Sequence, residues 1–308
     1  MSFRVGRSHL TRIERVILCL LAIGAVVVVL SPSSYEPGNL YLVGRWGEEL
    51  GINNTDLIPE AVVAAAYQSA GEFFSDSFEK AQALAWDMLG SYQLAAGSDV
   101  VIIFNSGGWG WSSVSESFGW MGILEGIEDC LMEFGYSAIS FDYERTSGSL
   151  AGCVGEISDG AGLSSLKSEE LAMRVAFLTS EIPGLRVIIA GESNGSALCE
   201  KSRYFLGENP DVYYIETGPP FWYPATSSER VLVVNDNGRH PDTFSSGNIF
   251  AIIGANLESF FGLSRSDSGK ILGYIGAPGH AYSWEYEGVR SQIVNFLHDS
   301  FAQDSGGL

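Results

Sequence analysis

Past residue 97 the chain alternates between short, wholly apolar runs and longer stretches whose apolar positions fall three and four apart. The runs 100–104, 138–143, 186–190, 212–215, 231–234 and 271–275 are rich in Val, Ile, Leu and Tyr and have the length of strands. Between them, Ile123, Ile127, Cys130, Leu131 and Phe134 share one helical face within 121–134, and Leu171, Val175 and Leu178 share another. Ser168 is expected to cap that second helix, with Glu169 and Glu170 in its first turn, where the helix dipole favours them. Residues 194–205 read as a further helix, and Val289, Ile293, Phe296 and Leu297 mark a closing one. Strands that are apolar throughout and interleaved with helices predict an α/β fold, a doubly wound, mostly parallel sheet with helices on both faces.

Upstream the pattern differs. Residues 59–89 hold much Ala and Glu and almost no Gly, which predicts one helix, expected to cover an edge of the main domain. The stretch 35–56, with Pro37, Gly38, Gly44, Gly47 and Gly51, reads as a linker that packs in part on the domain. Arg4, Arg7, Arg12 and Arg15 precede a charge-free run over 16–30 that ends at Ser31-Pro32. Basic residues before an apolar run keep that end in the cytoplasm and deliver the remainder across the membrane. Fifteen helical residues span about 22 Å, between a signal-peptide core and a full membrane span. Ser31 and Ser33 make a poor cleavage site, so an uncleaved anchor is favoured over a cleaved signal and a secreted product. The expected organisation is a cytoplasmic basic tail (1–15), a membrane helix serving as signal anchor (16–31), a linker and helical extension (32–96), the main domain (97–303) and a disordered tail (304–308). The Gly/Ser-rich stretch 146–165 is expected to be a mobile loop.

Composition narrows the function. The chain has 308 residues and a formal net charge of −20, which repels phosphate backbones and argues against a nucleic-acid partner. Its four cysteines, Cys19, Cys130, Cys153 and Cys199, show no C-x-x-C spacing, so no zinc site is expected. Cys130 with Cys153 is one disulfide pairing open to an exported domain; free buried thiols are the commoner outcome.

The segment that carries chemistry is Gly191-Glu192-Ser193-Asn194-Gly195, a G-x-S-x-G pentapeptide between the apolar run 186–190 and the helix from 194. A serine at so sharp a strand-to-helix turn needs a strained backbone and small neighbours. The turn lifts its hydroxyl clear of the sheet at a helix N-terminus, where developing negative charge is favoured. The alternative is an ordinary turn with Ser193 as N-cap.

In this motif and its context the sequence resembles the α/β-hydrolase superfamily over residues 98–301. The resemblance implies an acid after a later strand and then a histidine after the last strand, in that order. Of His9, His240, His280 and His298, His280 follows the last apolar run and precedes the closing helix, the family's position for the base. A free imidazole, with a pKa of about 6.5, accepts a serine proton at neutral pH. The acid is Asp242 or Asp236, both after the run 231–234; loop tolerance for insertions favours Asp242, and Asp236-Asn237-Gly238 doubles as a turn sequence. Glu216 is a third candidate. The oxyanion hole is expected from the amides of Asn194, Gly107 and Gly108. The last two lie in Asn105-Ser106-Gly107-Gly108-Trp109, which is similar to the H-G-G-G-W loop of lipases and esterases with Asn105 for His and Ser106 for the first Gly. Trp109, Trp111, Phe118 and Trp120, with Phe221, Trp222 and Tyr223, are candidates for the wall of an acyl pocket, although aromatics more often fill cores.

The resemblance implies a serine hydrolase of esters or related acyl bonds, working through an acyl-enzyme on a lipid-like or small acyl substrate, with no metal or organic cofactor, and the N-terminal run makes the expected enzyme membrane-anchored. An acyltransferase or peptidase on the same residues, or a non-catalytic binding protein of this fold, are the alternatives.

Overall fold

The computed structural model describes residues 37–43, 58–146, 165–223, 225, 227–261, 268–271 and 275–302. Six strands, β1 (Asn39–Val43), β2 (Val100–Asn105), β3 (Ala138–Glu144), β4 (Arg186–Glu192), β5 (Val212–Thr217) and β6 (Val231–Val234), form one sheet in the order β1-β3-β2-β4-β5-β6. All neighbours are parallel except β1 and β3. Among the described residues there are seven α-helices: α1 (Glu60–Phe73), α2 (Phe78–Ala95), α3 (Trp120–Glu133), α4 (Leu166–Glu181), α5 (Asn194–Leu206), α6 (Ile249–Phe260) and α7 (Glu287–Phe301).

The apolar runs are buried on both sides because each alternate side chain enters a different core. Val101, Ile103, Val187 and Ile189 face Leu84, Met88, Leu171, Val175 and Leu198 from α2, α4 and α5. Val100, Ile102, Phe104 and Ile188 face Trp120, Ile123, Ile127, Val289, Ile293 and Leu297 from α3 and α7. The expected mixed α/β layering, with a mostly parallel sheet, is therefore what the backbone adopts.

Several boundaries move. Residues 59–89 form two helices, broken at 74–77, with Ser77 capping α2 through the amide of Lys80. α1 packs on α2 and α4, and α2 reaches the edge strand β1, with Ala66, Leu84 and Met88 buried among them, so the pair lies over the β1 side of the sheet. Within the expected linker, 39–43 is an edge strand. An isolated apolar-polar alternation of five residues acquires strand character only from its partner, here β3. Ser165, and not Ser168, occupies the N-cap of α4, and Ser168 is buried inside the first turn. The run 271–275 is not one strand of the main sheet. β7 (Ser268–Ile271) and β8 (Ile275–Pro278) make a separate antiparallel hairpin whose Ile271 and Ala277 pack on Phe244. No helix among the described residues is long and apolar enough to cross a membrane. The segments 1–15, 16–31 and 304–308, and residues 147–164 of the expected loop, lie outside the described residues.

One buried ionic cluster ties the chain before β1 to the domain. Glu170 accepts from the Gly38 amide at 2.9 and 3.1 Å and pairs with Arg174 at 2.7 Å. Arg174 also donates to Asp87 and to the Gly38 carbonyl. Burial opposes the charge on Arg174, but Asp87 and Glu170 outweigh it and raise its pKa. Removing Arg174 leaves buried Glu170 to the Gly38 amide and to Lys167, at 4.0 Å, and breaking such a buried pair typically costs about 3–5 kcal/mol. Arg174→Ala is therefore expected to lower unfolding stability by about that amount in urea titration. A loss under about 1 kcal/mol would show that the cluster does not hold this corner.

Candidate active site

The site lies at the edge of the sheet where β2, β4 and β6 end. Ser193 joins β4 to α5 with φ 54° and ψ −119°, and among the described residues it alone combines a side chain with a positive φ. That conformation costs on the order of 1–3 kcal/mol and persists only where the surroundings enforce it. Here they do. The Ser193 amide donates to the Thr217 carbonyl at 2.9 Å. The buried Ser196 hydroxyl lies 2.9 Å from both the Gly191 and the Thr217 carbonyls. A Cβ on Gly195 would come within 2.1 Å of the Asn105 carbonyl, so no larger residue fits that position.

The loop after β2 passes beside this turn. A Cβ on Gly107 would sit 3.2 Å from Ser193 Cβ, and Asn194 Nδ2 donates to the Gly108 carbonyl at 3.0 Å. Buried Arg145 donates to the Ser106 carbonyl at 2.7 Å, and Thr146 to the Trp109 carbonyl at 2.7 Å. Gly107, Gly108 and Asn194 are thus adjacent to Ser193. Asn105 plays a different part from the loop histidine it was aligned with. Its side chain turns into the core and donates to the Ala190 carbonyl at 3.1 Å, joining β2 to β4.

His280 and Asp242 meet on the far side of Thr217-Gly218. His280 Nδ1 lies 2.7 Å from Asp242 Oδ2, and both side chains are buried. The same oxygen accepts from Tyr282 Oη at 2.7 Å and Ser245 Oγ at 3.1 Å, while Oδ1 accepts the amides of Phe244 and Ser245. Burial alone would raise this carboxyl's pKa. The hydrogen bond and charge of His280, with the Tyr282 and Ser245 donors, outweigh it and hold the group below its usual range. Gly218, at φ 58°, leaves the room the pair needs, since a Cβ there would lie 2.7 Å from His280 Cε1.

The other two acids stand elsewhere. Asp236 is exposed and accepts from the Gly238 amide at 2.7 Å, the turn role its sequence implies. Glu216 is fully buried in β5, with neither oxygen hydrogen-bonded among the described residues, and burial pushes its pKa well up. Ser193 Oγ and His280 Nε2 are both buried, at 3% and 2% residue exposure, and neither has a hydrogen-bond partner among the described residues. The two are neighbours through Thr217-Gly218 and not through a direct bond.

Asn237, Phe244 and Glu192 were given no role by the sequence. Asn237 is buried and donates to the carbonyls of Gly279 and Ala281 at 3.1 and 3.0 Å, holding the turn that carries His280. Phe244 packs edge-on against His280 at 5.0 Å, and Trp222 edge-on against Phe244 at 5.3 Å. Trp222 therefore stands on the His280 side of the site. Trp120 does not line it, being wholly buried against Phe104. Glu192, half-buried inside the motif, has its pKa pushed up to about 7 by burial, against the lowering effects of His280 and a hydrogen bond with Ser117. Its position before the serine marked it in sequence, but its proton affinity depends on what covers it. Among the described residues no group of three or more His, Cys, Asp or Glu converges as metal ligands would.

No protein-family model and no curated protein matches this sequence. Among solved structures, a Trichoderma reesei cutinase in complex with a C11Y4 phosphonate inhibitor is similar at 11% identity and a TM-score of 0.36. That likeness covers 79% of this chain and 94% of that one, and is too distant to assign an activity.

A carboxyl with a folded pKa of about 7 and an ordinary value of 4.5 adds no cost below the lower value and destabilises the fold as pH rises through the upper. Asp242 acts in the opposite sense, its contribution being lost as pH falls through its lowered pKa. Glu192→Gln is expected to flatten the decline in stability between about pH 4.5 and 7. Urea unfolding of both proteins at the two ends of that window measures it. An undiminished decline in the variant would mean that Glu192 does not carry the buried proton.

Proposed function

We propose that the protein is a serine hydrolase of esters or related acyl bonds, anchored in a membrane by 16–31 with its main domain on the extracytoplasmic side. The observation that carries this reading is the buried Asp242–His280 pair, with Nε2 left without a partner among the described residues, lying against Gly218, the residue after Thr217, whose carbonyl holds the strained Ser193 turn. An Asp242 carboxylate on Nδ1 keeps the proton there, which leaves Nε2 as the base. The basic residues and apolar run at the N-terminus support the anchor.

In this reading Ser193 Oγ attacks the acyl carbonyl and gives its proton to His280 Nε2. The tetrahedral oxyanion is held by amides of Asn194 and of the Gly107-Gly108 loop, at the positive end of α5. Collapse breaks the bond to the leaving group, which takes the proton from His280 and departs. Water, deprotonated by the same imidazole, attacks the acyl-serine; collapse releases the acid and returns the proton to Ser193. Asp242 stays ionised throughout and stabilises the imidazolium, a role its several donors suit. Ser193 Oγ and His280 Nε2 must close to hydrogen-bond distance when substrate binds.

The test is labelling of the full-length protein by a fluorophosphonate probe, with turnover of a short p-nitrophenyl ester. Labelling is expected in the native protein and lost in Ser193→Ala. Asp242→Asn is expected to lower kcat by about 10³–10⁴-fold, and Asp236→Asn by less than about threefold. A folded native protein that neither labels nor turns over ester, or labelling that survives Ser193→Ala, would refute the assignment.

A further inference from the structure

Between Asp242 and His280 the chain leaves the sheet and returns, and α6 sits on that excursion. Its inner side is fastened. Ile252 packs on Phe244, Ile271 and Ala277, and Asn256 bridges to Gly276 of β8, donating from Nδ2 at 2.8 Å and accepting at Oδ1 at 2.9 Å. Its outer side is apolar and open. Phe250 is 88% exposed, Phe260 84% and Phe261 73%, with Ile249, Ile253 and Leu257 each more than half exposed. No residue of α6 is buried. Phe250, Ile253, Leu257 and Phe261 recur at the three- and four-residue steps that make one stripe along a helix. Soluble surfaces seldom leave so many large apolar side chains together unless something covers them.

Charge and topology narrow what covers it. Residues 243–261 carry a single charged residue, Glu258, in a chain of net charge −20. Interfacial helices that seek anionic lipid place Lys and Arg on their polar face, and α6 has neither. A surface this acidic is repelled by an anionic leaflet, which leaves burial of apolar area as the attraction. The direction comes from β1. Because β1 is antiparallel to β3, Asn39 pairs with Glu144, at the C-terminal end of β3. The N-terminal segment therefore joins the sheet at the edge that also hands over to the loop 106–110, to Ser193 and to Asp242. Only eight residues, 31–38, separate the apolar run 16–30 from β1, and extended they reach about 30 Å. A run held in a bilayer by so short a tether keeps the edge with Ser193 and His280 toward that bilayer.

We infer that the apolar face of α6 seats in the interfacial zone of an uncharged, phosphatidylcholine-like lipid surface, and that the site takes its acyl substrate from that layer. This deepens the hydrolase and anchor readings above and rests on both. Full-length protein is reconstituted in phosphatidylcholine nanodiscs holding a trace of phosphatidylcholine with a diazirine on its acyl chain, irradiated, and its adducts mapped by mass spectrometry. Adducts are expected within 249–261, falling about tenfold in a Phe250→Ser, Phe260→Ser, Phe261→Ser variant. All three residues are exposed, so the variant should melt as the native protein does. Turnover of a long-chain ester dissolved in the disc is expected to fall about tenfold or more in the variant, while a short soluble ester stays within about twofold. No adducts in 249–261 of the native protein would overturn the inference, as would equal changes on both esters. Protein–protein cross-links through 249–261, with two copies per disc by mass, would assign the face to a second copy and overturn it too. The lipid cross-link needs no turnover, so a failed hydrolase reading shows separately, as absent probe labelling beside intact adducts.

Discussion

A chain leaving β4 has one residue in which to reverse into α5, and that residue, Ser193, adopts a backbone conformation that side-chain-bearing residues avoid. The strain is local, but its restraint is not. Asn105 from β2 presses its carbonyl where a Gly195 side chain would stand, and Ser196 gathers the carbonyls of β4 and β5 beneath the turn. The Thr217 carbonyl that holds the Ser193 amide belongs to the same short stretch whose next residue, Gly218, lies against His280 and Asp242. One piece of backbone, Thr217-Gly218, thus holds the serine turn on one side and lies against the imidazole on the other. A shift in β5 moves both.

The electrostatics follow from how each acid is surrounded. Four acidic side chains, Glu192, Glu216, Asp236 and Asp242, lie on the motif or after a neighbouring strand, and each environment gives a different result. Asp242 collects several donors and stays ionised although buried. Glu216 is as deeply buried with none, and its pKa is pushed well up. Asp236 sits in water and closes a turn. Glu192 lies between these cases, near His280 and partly covered. Burial sets the cost in every case, and the hydrogen-bond donors decide whether charge survives it.

The architecture also gives the edge of the sheet that carries Ser193 more than one duty. The loop after β2 is clamped by Arg145, Thr146 and Asn194, and the turn at His280 by Asn237, so the groups around Ser193 are held from both sides. The excursion bearing α6 is tied down by a smaller cluster and by Asn256, leaving its outer face free. A rigid floor and a looser apolar rim suit a site that meets its substrate at a surface. The buried Glu170–Arg174 pair joins the segment before β1 to this same edge.

Much of this was legible in the sequence alone. The apolar runs that became β2 to β6, the helical stripes of α3, α4 and α7, the serine turn and its histidine are local patterns, and burial on two faces or on one leaves a direct trace in residue order. Only the low free-energy cost of loop length favoured Asp242 over Asp236 there, because the pairing with His280 spans 38 residues. β1 was hidden because five half-exposed residues become a strand only through their partner. The hairpin at 268–278 was hidden because an apolar run does not reveal which neighbour buries it. Asn237 and Ser196 could be located in the sequence but not given roles, and Asn105 and Trp120 turned inward from the roles expected of them, since a polar or aromatic side chain acts through what it touches. Residue order determined the elements and the chemistry available to them. Tertiary contact alone decided which acid stays charged, which glycines are irreplaceable and which apolar face is left open, because each depends on atoms far apart in the chain meeting within a few ångströms.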